Sequence, residues 1–190
     1  PSGLAVSPDG TTLFVTCGGP KGTVCLIEAA SGEITSTIPV GHSPRSPVLL
    51  PNAKKLLVCN RFNDDVSVID LAAAKETSRV KVIREPWSVD VTPDGKLAFV
   101  SNLLPIDPAD SYDVASEVTV IDVATLETSN IRLPNGSSSV HEVCVSPDGA
   151  YAYVAHILSR YQMPTTQLER GWMNTNALSI IDVASKSLLN

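Results

Sequence analysis

Short runs of apolar and β-branched residues alternate with polar turns along almost the whole chain. Residues 1–39 contain four such runs, at Leu4–Ser7, Thr12–Thr16, Thr23–Glu28 and Glu33–Ile38. Each run has the length of an ordinary strand, and Gly, Pro, Asn, Asp or small residues close it. The pattern therefore predicts a unit of four antiparallel strands, which we name a to d in chain order.

The same unit returns three more times. A turn proline recurs about every 40 to 55 residues, at Pro8, Pro51, Pro93 and Pro147. The start of strand c recurs in the same way, at Val24, Val66, Val118 and Leu178. A repeat of this length with several strands per unit predicts an all-β fold, a β-propeller with one four-stranded blade per repeat.

The repeats set the expected organisation: one partial propeller, residues 1–190, with about four blades at residues 1–39, 40–82, 83–133 and 134–190. The last blade begins its outer strand at Ser187 and does not complete it. Four blades with such an open edge would leave backbone groups unpaired. We therefore expect this chain to be part of a larger ring.

Strands b and c carry apolar residues at both parities, as in Leu56, Leu57 and Val58 and in Val66, Val68 and Ile69. Strict alternation would indicate a sheet with one face in water. Sheets stacked between two neighbours need both faces apolar. This pattern agrees with blades packed face to face.

The composition and net charge argue against several classes of protein. Hydrophobic residues make up 43% and charged residues 18%, as in a folded protein rather than a disordered one. The net charge of −6 argues against a nucleic-acid partner, which favours a basic surface. The sequence contains no run of about 18 apolar residues, so no membrane-spanning helix is predicted.

The four cysteines, Cys17, Cys25, Cys59 and Cys144, show neither a CxxC nor a CxxCH spacing. Zinc-ribbon and covalent haem sites therefore have no support within this chain. Cys17 and Cys25 flank one predicted hairpin, which suggests a cross-strand disulfide, with Cys59 and Cys144 as buried thiols. The alternative is that all four pack as small apolar groups.

Repeats three and four are lengthened between strands b and c, at Leu103–Glu117 and at Ile157–Ala177. In an up-and-down blade, the b–c loops and the d–a links leave on one face, opposite the a–b turns. Both insertions should therefore lie on the same face of the propeller.

Arg45, Trp87 and His141 lie at equivalent positions just ahead of strand a, where they should ring the mouth of the central channel. Together they would suit an anionic or aromatic ligand. The alternative is that Trp87 packs under a loop while Arg45 and His141 are solvated or bonded to the backbone.

Two sets of residues raise the question of a metal. The third-repeat insertion holds Asp107, Asp110, Asp113 and Glu117, which suit either Ca²⁺ or a solvated loop, since their spacing is not that of an EF-hand. His141 and His156 fall in one blade and offer nitrogen ligands near the channel. We assign no metal site and no catalytic residue, because no Ser-His-Asp, P-loop or dinucleotide pattern is present.

The repeats resemble the YVTN β-propeller repeat family. The resemblance lies in Ser-Pro-Asp-Gly turns followed by Leu-Phe-Val-Thr-Cys, Leu-Leu-Val-Cys-Asn or Leu-Ala-Phe-Val-Ser-Asn, and in Val-Ser-Val-Ile-Asp. Cys17 and His156 depart from the final Asn that Asn60 and Asn102 keep. The resemblance implies a seven-bladed ring, of which this chain is a fragment, and export to the periplasm or cell surface.

The fourth-repeat insertion is similar to the corresponding loop of exported bacterial propellers joined to di-haem cytochrome c peroxidase-like domains. The similarity rests on residues 159–174, which include Arg160, Tyr161, Arg170 and Trp172. It implies that the propeller docks a redox domain, with haem in that domain and no cofactor in this chain.

Two functions follow as hypotheses. The first is a non-catalytic interaction or ligand-binding scaffold of an exported bacterial or archaeal protein. Its candidate ligand- or partner-binding residues are Arg45, Trp87, His141, His156, Arg160, Tyr161, Arg170 and Trp172. Its partners would be a protein domain on the b–c face, the remaining blades or a second copy of the chain. The alternative is a lactonase- or dehydrogenase-like enzyme that uses Arg45, Glu85, His141 and Glu142 at the channel.

Overall fold

The computed structural model describes residues 1–160 and 173–189. In these residues, sixteen strands form four antiparallel four-stranded sheets, and the one helical element is a 3-10 turn at Arg61–Asn63. The predicted all-β propeller architecture is confirmed. No helix in the described part is long and apolar enough to cross a bilayer.

Each sheet contains consecutive strands in chain order, so each is one up-and-down blade. The first two blades contain β1 (Gly3–Val6), β2 (Thr12–Cys17), β3 (Thr23–Glu28), β4 (Ile34–Pro39), β5 (Pro44–Leu49), β6 (Lys55–Asn60), β7 (Asp65–Asp70) and β8 (Lys75–Lys81). The other two contain β9 (Pro86–Val91), β10 (Leu97–Asn102), β11 (Glu117–Asp122), β12 (Thr128–Arg132), β13 (Ser137–Val145), β14 (Tyr151–Ser159), β15 (Asn174–Asp182) and β16 (Ser187–Leu188).

The a–b turns share one hydrogen-bonded design. In the first, the Asp9 carboxylate accepts the Ser7 hydroxyl at 2.6 Å and the Thr11 N–H at 3.1 Å. Gly10 follows with φ of 73°, a left-handed conformation that favours glycine. Strand a therefore ends at Val6 rather than at Ser7, because the Ser7 side chain belongs to the turn.

The hydrophobic core lies between the blades. One cluster joins blades one and two, with Phe14 and Val24 against Leu56 and Val58, and the other two clusters join blades two to three and three to four. Leu57, the neighbour of Leu56 in β6, faces blade three instead. The apolar residues at both parities are thus explained, because each inner sheet packs on both faces.

The inner strands of adjacent blades are tied together by side chains. The Ser2 hydroxyl donates to the Pro44 carbonyl oxygen, and the Ser46 hydroxyl accepts the Val89 N–H at 3.2 Å. The Asp90 carboxylate accepts the Val145 N–H at 2.7 Å. These bonds fix the relative positions of the four inner strands around the axis.

The b–c loops and d–a links lie on one face, as predicted. In blade two, the Arg61 N–H donates to the Ser43 carbonyl oxygen, and the Glu85 N–H donates to the Asp64 carboxylate. In blade three, the Leu103 N–H likewise donates to the Glu85 carbonyl oxygen. The Ser159 N–H in blade four donates to the Gly136 carbonyl oxygen. The base of each predicted insertion therefore leaves from a common rim, which we call the b–c face.

The fourth-repeat insertion differs from the predicted loop. Strands β14 and β15 stay paired out to the Ser159–Asn174 pair, so Ile157–Ser159 and Asn174–Ala177 extend the hairpin. The extension is stabilised by β13, which pairs Ser137 with Leu158. Tyr161, Arg170 and Trp172 lie outside the described residues.

The cysteine predictions were partly wrong. Cys17 and Cys25 are free thiols with their sulfur atoms 3.9 Å apart, and Cys144 is exposed, while Cys59 is buried as predicted. Cys17 faces Thr23 in the ladder, so Cys25 is its diagonal neighbour. Diagonal Cα atoms usually lie about 7–8 Å apart, beyond the range of about 4.4–6.8 Å that suits a disulfide.

Candidate functional site

Three inner strands carry a β-bulge where they reach the b–c face. The ladder shifts register between Arg45 and Val48 in β5, at Trp87 in β9, and between Ser138 and Glu142 in β13. Strand β1 pairs without a shift. A bulge re-aims the side chains beside it. Arg45, Trp87 and His141 therefore lie within bulged strands, not ahead of them as the sequence suggested.

The structure brings these three side chains together. The Arg45 guanidinium lies 3.4 Å from the centroid of the Trp87 ring, and His141 meets that ring edge-on at 5.0 Å. Arg61 approaches the same ring at 4.8 Å. The Trp87 ring is thus surrounded by cationic and aromatic groups, where cation–π attraction stabilises it.

Sequence reasoning missed Arg61 and Phe62. Arg61 opens the 3-10 turn after β6 and donates two hydrogen bonds to Glu85, at 2.9 and 2.8 Å. Phe62 lies 4.6 Å from the Arg61 guanidinium and packs on His42, at 4.9 Å. The available signal was topological, since the turn after strand b was expected on this face.

Arg45 and Trp87 also line a cavity of about 250 Å³, which we call the channel-mouth cavity. All four inner strands, or the links before them, contribute to its lining. Its polar lining residues are Ser2, Arg45, Ser46, Ser88 and Glu142. The Ser88 hydroxyl donates to the Glu142 carboxylate at 2.7 Å. Burial and the positive charge of Arg61 lower the pKa of Arg45. The cavity thus holds one cation and one anion that form no ion pair with each other.

His141 and His156 border a second cavity, of about 280 Å³. His156 is buried, with Nε2 2.9 Å from the Ser179 hydroxyl and Nδ1 3.2 Å from the Ile157 carbonyl oxygen. Both nitrogens of His156 are therefore engaged, and burial lowers the pKa of the ring. Within residues 1–160 and 173–189, no group of three His, Cys, Asp or Glu side chains is placed to hold a metal ion.

The acidic insertion of blade three is organised by Arg132. Its guanidinium pairs with Asp107 at 2.8 Å and with Glu117 at 3.4 Å, and it donates to the Asp113 carbonyl oxygen at 3.3 Å. The Arg132 cation lowers the pKa of Asp107. The structure therefore does not bring the four acidic residues together as a calcium site. Asp110 and Asp113 are exposed, as the solvated-loop alternative expects, while Asp107 and Glu117 pair with Arg132.

Large apolar side chains are exposed in three successive b–c loops. Phe62 is 48% exposed, Ile106 61%, Tyr112 80% and Met173 39%. Arg160 is also exposed, and its N–H donates to the Met173 carbonyl oxygen at the end of the hairpin. The described a–b turns on the opposite face present no large apolar side chain of this kind. The other exposed large apolar side chains of the described residues lie in strands or directly beside one: Leu4, Val6, Ile34, Tyr151, Tyr153, Leu178 and Leu189. Exposed apolar groups in the loops of one face are typical of a contact surface.

The chain was compared with known proteins by sequence and by structure. No protein-family model matches the chain. Over 114 residues, it is 28% identical to the hydrazine synthase subunit beta of Kuenenia stuttgartiensis, in an alignment that covers 56% of this chain and 28% of that protein.

Two solved structures are similar over nearly the whole chain. Kuenenia stuttgartiensis hydrazine synthase aligns with 99% of this chain and 64% of its own, with a TM-score of 0.60 and 26% identity. The dihydro-heme d1 dehydrogenase NirN, solved in complex with DHE, aligns with 98% and 36%, with a TM-score of 0.70 and 22% identity. The chain thus spans less than two thirds of each relative, and the likeness to NirN concerns the fold alone.

Proposed function

We propose that this chain is the propeller part of an exported bacterial or archaeal protein and acts as a non-catalytic scaffold. Its b–c face would dock a c-type cytochrome or a di-haem peroxidase-like redox domain. The haem would belong to that partner. The YVTN-type repeat and a periplasmic or cell-surface location are parts of the same proposal.

The observation that carries the proposal is the unequal elaboration of the two faces. The b–c face has an insertion held by Arg132, a hairpin that extends to Ser159 and Asn174, and four exposed apolar side chains in its loops. The a–b face has short hydrogen-bonded turns, three of which are Ser-Pro-Asp-Gly or Thr-Pro-Asp-Gly. A rigid scaffold with one elaborated face is typical of a binding module.

The comparisons support a redox context. One relative is named as the beta subunit of hydrazine synthase, and the solved structure of hydrazine synthase is similar over 99% of this chain, so a related propeller occurs in an enzyme built of subunits. A docking role suits this chain because exposed apolar side chains in the loops of one face are typical of an interaction surface.

The enzyme alternative would use the channel cavity. Two of its four candidate groups are already engaged, since Glu85 binds Arg61 outside the cavity and Glu142 accepts the Ser88 hydroxyl within it. His141 packs against Trp87, and Arg45 stacks on the same ring. This arrangement favours binding over proton transfer, so we keep the scaffold as our proposal.

The test compares two isoleucines with the same exposure. Ile106, on the b–c face, and Ile34, on outer strand β4, are both 61% exposed. We expect Ile106→Ser to weaken binding of the source organism's di-haem cytochrome c peroxidase by about tenfold, because an anchoring apolar side chain contributes roughly 1–2 kcal/mol. Ile34→Ser should leave the affinity unchanged. Biolayer interferometry measures both.

A second variant addresses the sequence prediction for the fourth-repeat loop. Trp172→Ala should also reduce the affinity, with an unchanged thermal unfolding midpoint. If the wild-type chain fails to bind the peroxidase, or if Ile34→Ser weakens binding as much as Ile106→Ser does, the docking proposal is wrong.

A further inference from the structure

The two arginines that approach Trp87 differ in their polar partners. Arg61 is neutralised, because Glu85 accepts two of its N–H groups. Arg45 stacks more closely, at 3.4 Å from the ring centroid, yet it has no hydrogen-bond acceptor and no ion-pair partner among residues 1–160 and 173–189. Its guanidinium is half-buried, and the only interaction it makes within that part of the chain is with the Trp87 ring.

A partly buried guanidinium is stabilised when a charged acceptor occupies its N–H edge. Stacking uses the face of the guanidinium plane and leaves that edge available. Burial lowers the pKa of Arg45, and the nearby Arg61 cation lowers it further. A carboxylate matches the paired N–H groups of an arginine in both charge and geometry.

The cavity beside Arg45 gives such a group a place. It holds about 250 Å³ where the four inner strands converge, and Trp87 supplies part of the wall. This volume is below the usual range of drug-sized pockets, about 300–1,000 Å³, so it suits a small molecule. A flat apolar body would pack beside the indole ring while the carboxylate meets Arg45.

We propose that the channel-mouth cavity binds a small monocarboxylate with a flat apolar body, held by the guanidinium of Arg45 against Trp87. The site lies on the b–c face, but none of the exposed apolar loop residues lines its cavity, and this proposal does not depend on docking. Glu142 lies across the same cavity, where its carboxylate accepts only the Ser88 hydroxyl. Its negative charge opposes the bound carboxylate and sets a modest affinity.

Benzoate is the probe, and benzamide is its neutral control of the same shape. The sequence has two tryptophans, so Trp172→Phe leaves Trp87 as the sole indole and assigns its N–H signal in NMR spectra. We expect a saturable shift of that signal with benzoate. Benzamide should bind at least about tenfold more weakly, because charge-assisted hydrogen bonds are roughly twice as strong as neutral ones.

Variants of the same background identify the residue responsible. Arg45→Gln should weaken benzoate binding at least about tenfold, and Arg45→Lys should weaken it less, since the charge remains while the paired N–H geometry is lost. Glu142→Gln should tighten binding by removing the opposing charge. The matched control is Arg79→Gln on outer strand β8, which removes one positive charge far from the cavity.

The outcomes decide the proposal. It is overturned if the Trp87 signal does not respond to benzoate, if benzamide binds equally well, or if Arg45→Gln and Arg79→Gln bind alike. Should Arg45→Gln fail to fold, equal binding by Arg45→Lys and the wild type would contradict it as well.

Discussion

The Nε2 atom of His156 lies 2.9 Å from the hydroxyl oxygen of Ser179, its diagonal neighbour across the β14–β15 ladder. The same diagonal is occupied by a pair in every blade. Asn60 donates to Ser67 at 2.7 Å, and Asn102 donates to Thr119 at 3.0 Å. In the first blade the pair is Cys17 and Cys25, at 3.9 Å. One position in the repeat therefore ties strand b to strand c, and two blades have replaced its usual residues.

The His156 pair predicts a pH-dependent stability. Burial lowers the folded-state pKa of His156 below its ordinary value of 6.5, so the unfolded chain binds the proton more tightly. The free energy of unfolding should be greatest above about pH 6.5 and fall as the pH decreases through the folded-state pKa. Urea unfolding at several pH values between about 5 and 7 measures this, above the range in which carboxylates titrate.

His156→Asn restores the residue that this position has in Asn60 and Asn102. We expect that variant to fold and to lose the pH dependence in the same interval. His42→Asn, at the half-buried histidine beside Phe62, is the control and should keep it. An unchanged slope in His156→Asn would show that another group is responsible.

A substitution at Gly136 should be far more harmful than one at Gly32. Both glycines have positive φ, but a Cβ on Gly136 would lie 2.1 Å from the Ser159 carbonyl oxygen, while Gly32 has nothing within 4 Å. We expect Gly136→Ala to lower the free energy of unfolding by about 3 kcal/mol or more, and Gly32→Ala by roughly 1 kcal/mol. Urea titrations compare the two, and similar losses would argue against the close link-to-hairpin contact.

Arg132 should control the order of the third-blade insertion more than the global stability. Its ion pairs with Asp107 and Glu117 are partly exposed, so Arg132→Gln should cost about 1 kcal/mol or less. Chymotrypsin should nevertheless cleave after exposed Tyr112 several-fold faster, because the loop loses its anchor. Arg79→Gln removes a different ion pair and should leave that cleavage rate unchanged. Equal rates in all three proteins would refute the anchoring role.

We expect Cys17 and Cys25 to be reduced, and we expect their replacement by a hydrogen-bonded pair to stabilise the fold. Thiol titration of the unfolded chain should find all four cysteines, since the Cys17 and Cys25 sulfur atoms are not bonded. The double substitution Cys17→Asn with Cys25→Ser recreates the Asn60–Ser67 pair and should raise the free energy of unfolding by about 0.5–1.5 kcal/mol. A double-mutant cycle measures the coupling between the two new residues. An intact mass lower by two hydrogen atoms would indicate a disulfide and would contradict the free thiols.

The blades could be predicted from the sequence because the signals that define them are local. The Ser-Pro-Asp-Gly turns set the hairpins, as the hydrogen bonds of Asp9 show. Apolar residues at both parities, such as Leu56 and Leu57, indicated sheets packed on both faces. The common face of the insertions followed from strand order alone.

The site was predicted less completely, because its geometry depends on contacts between repeats. Aligned positions indicated that Arg45, Trp87 and His141 would meet, but their bulges could not be predicted from strand propensity. Arg61 was not predicted, because a residue in a three-residue turn is not part of any periodic pattern of apolar positions. The extended hairpin looked like a loop, since its pairing with β13 depends on the link at Gly136.

The sequence by itself determined the four repeated blades, the turn chemistry and the face from which the insertions leave. Each of these follows from the residues within one repeat and their spacing. Only the tertiary structure decided that Arg45 has no polar partner among the described residues while Arg61 binds Glu85. It also decided that Cys17 and Cys25 are diagonal neighbours, and that Arg132 forms ion pairs with Asp107 and Glu117 of the acidic loop. Those outcomes depend on distances of a few ångströms between residues from different strands, which spacing along the chain does not specify.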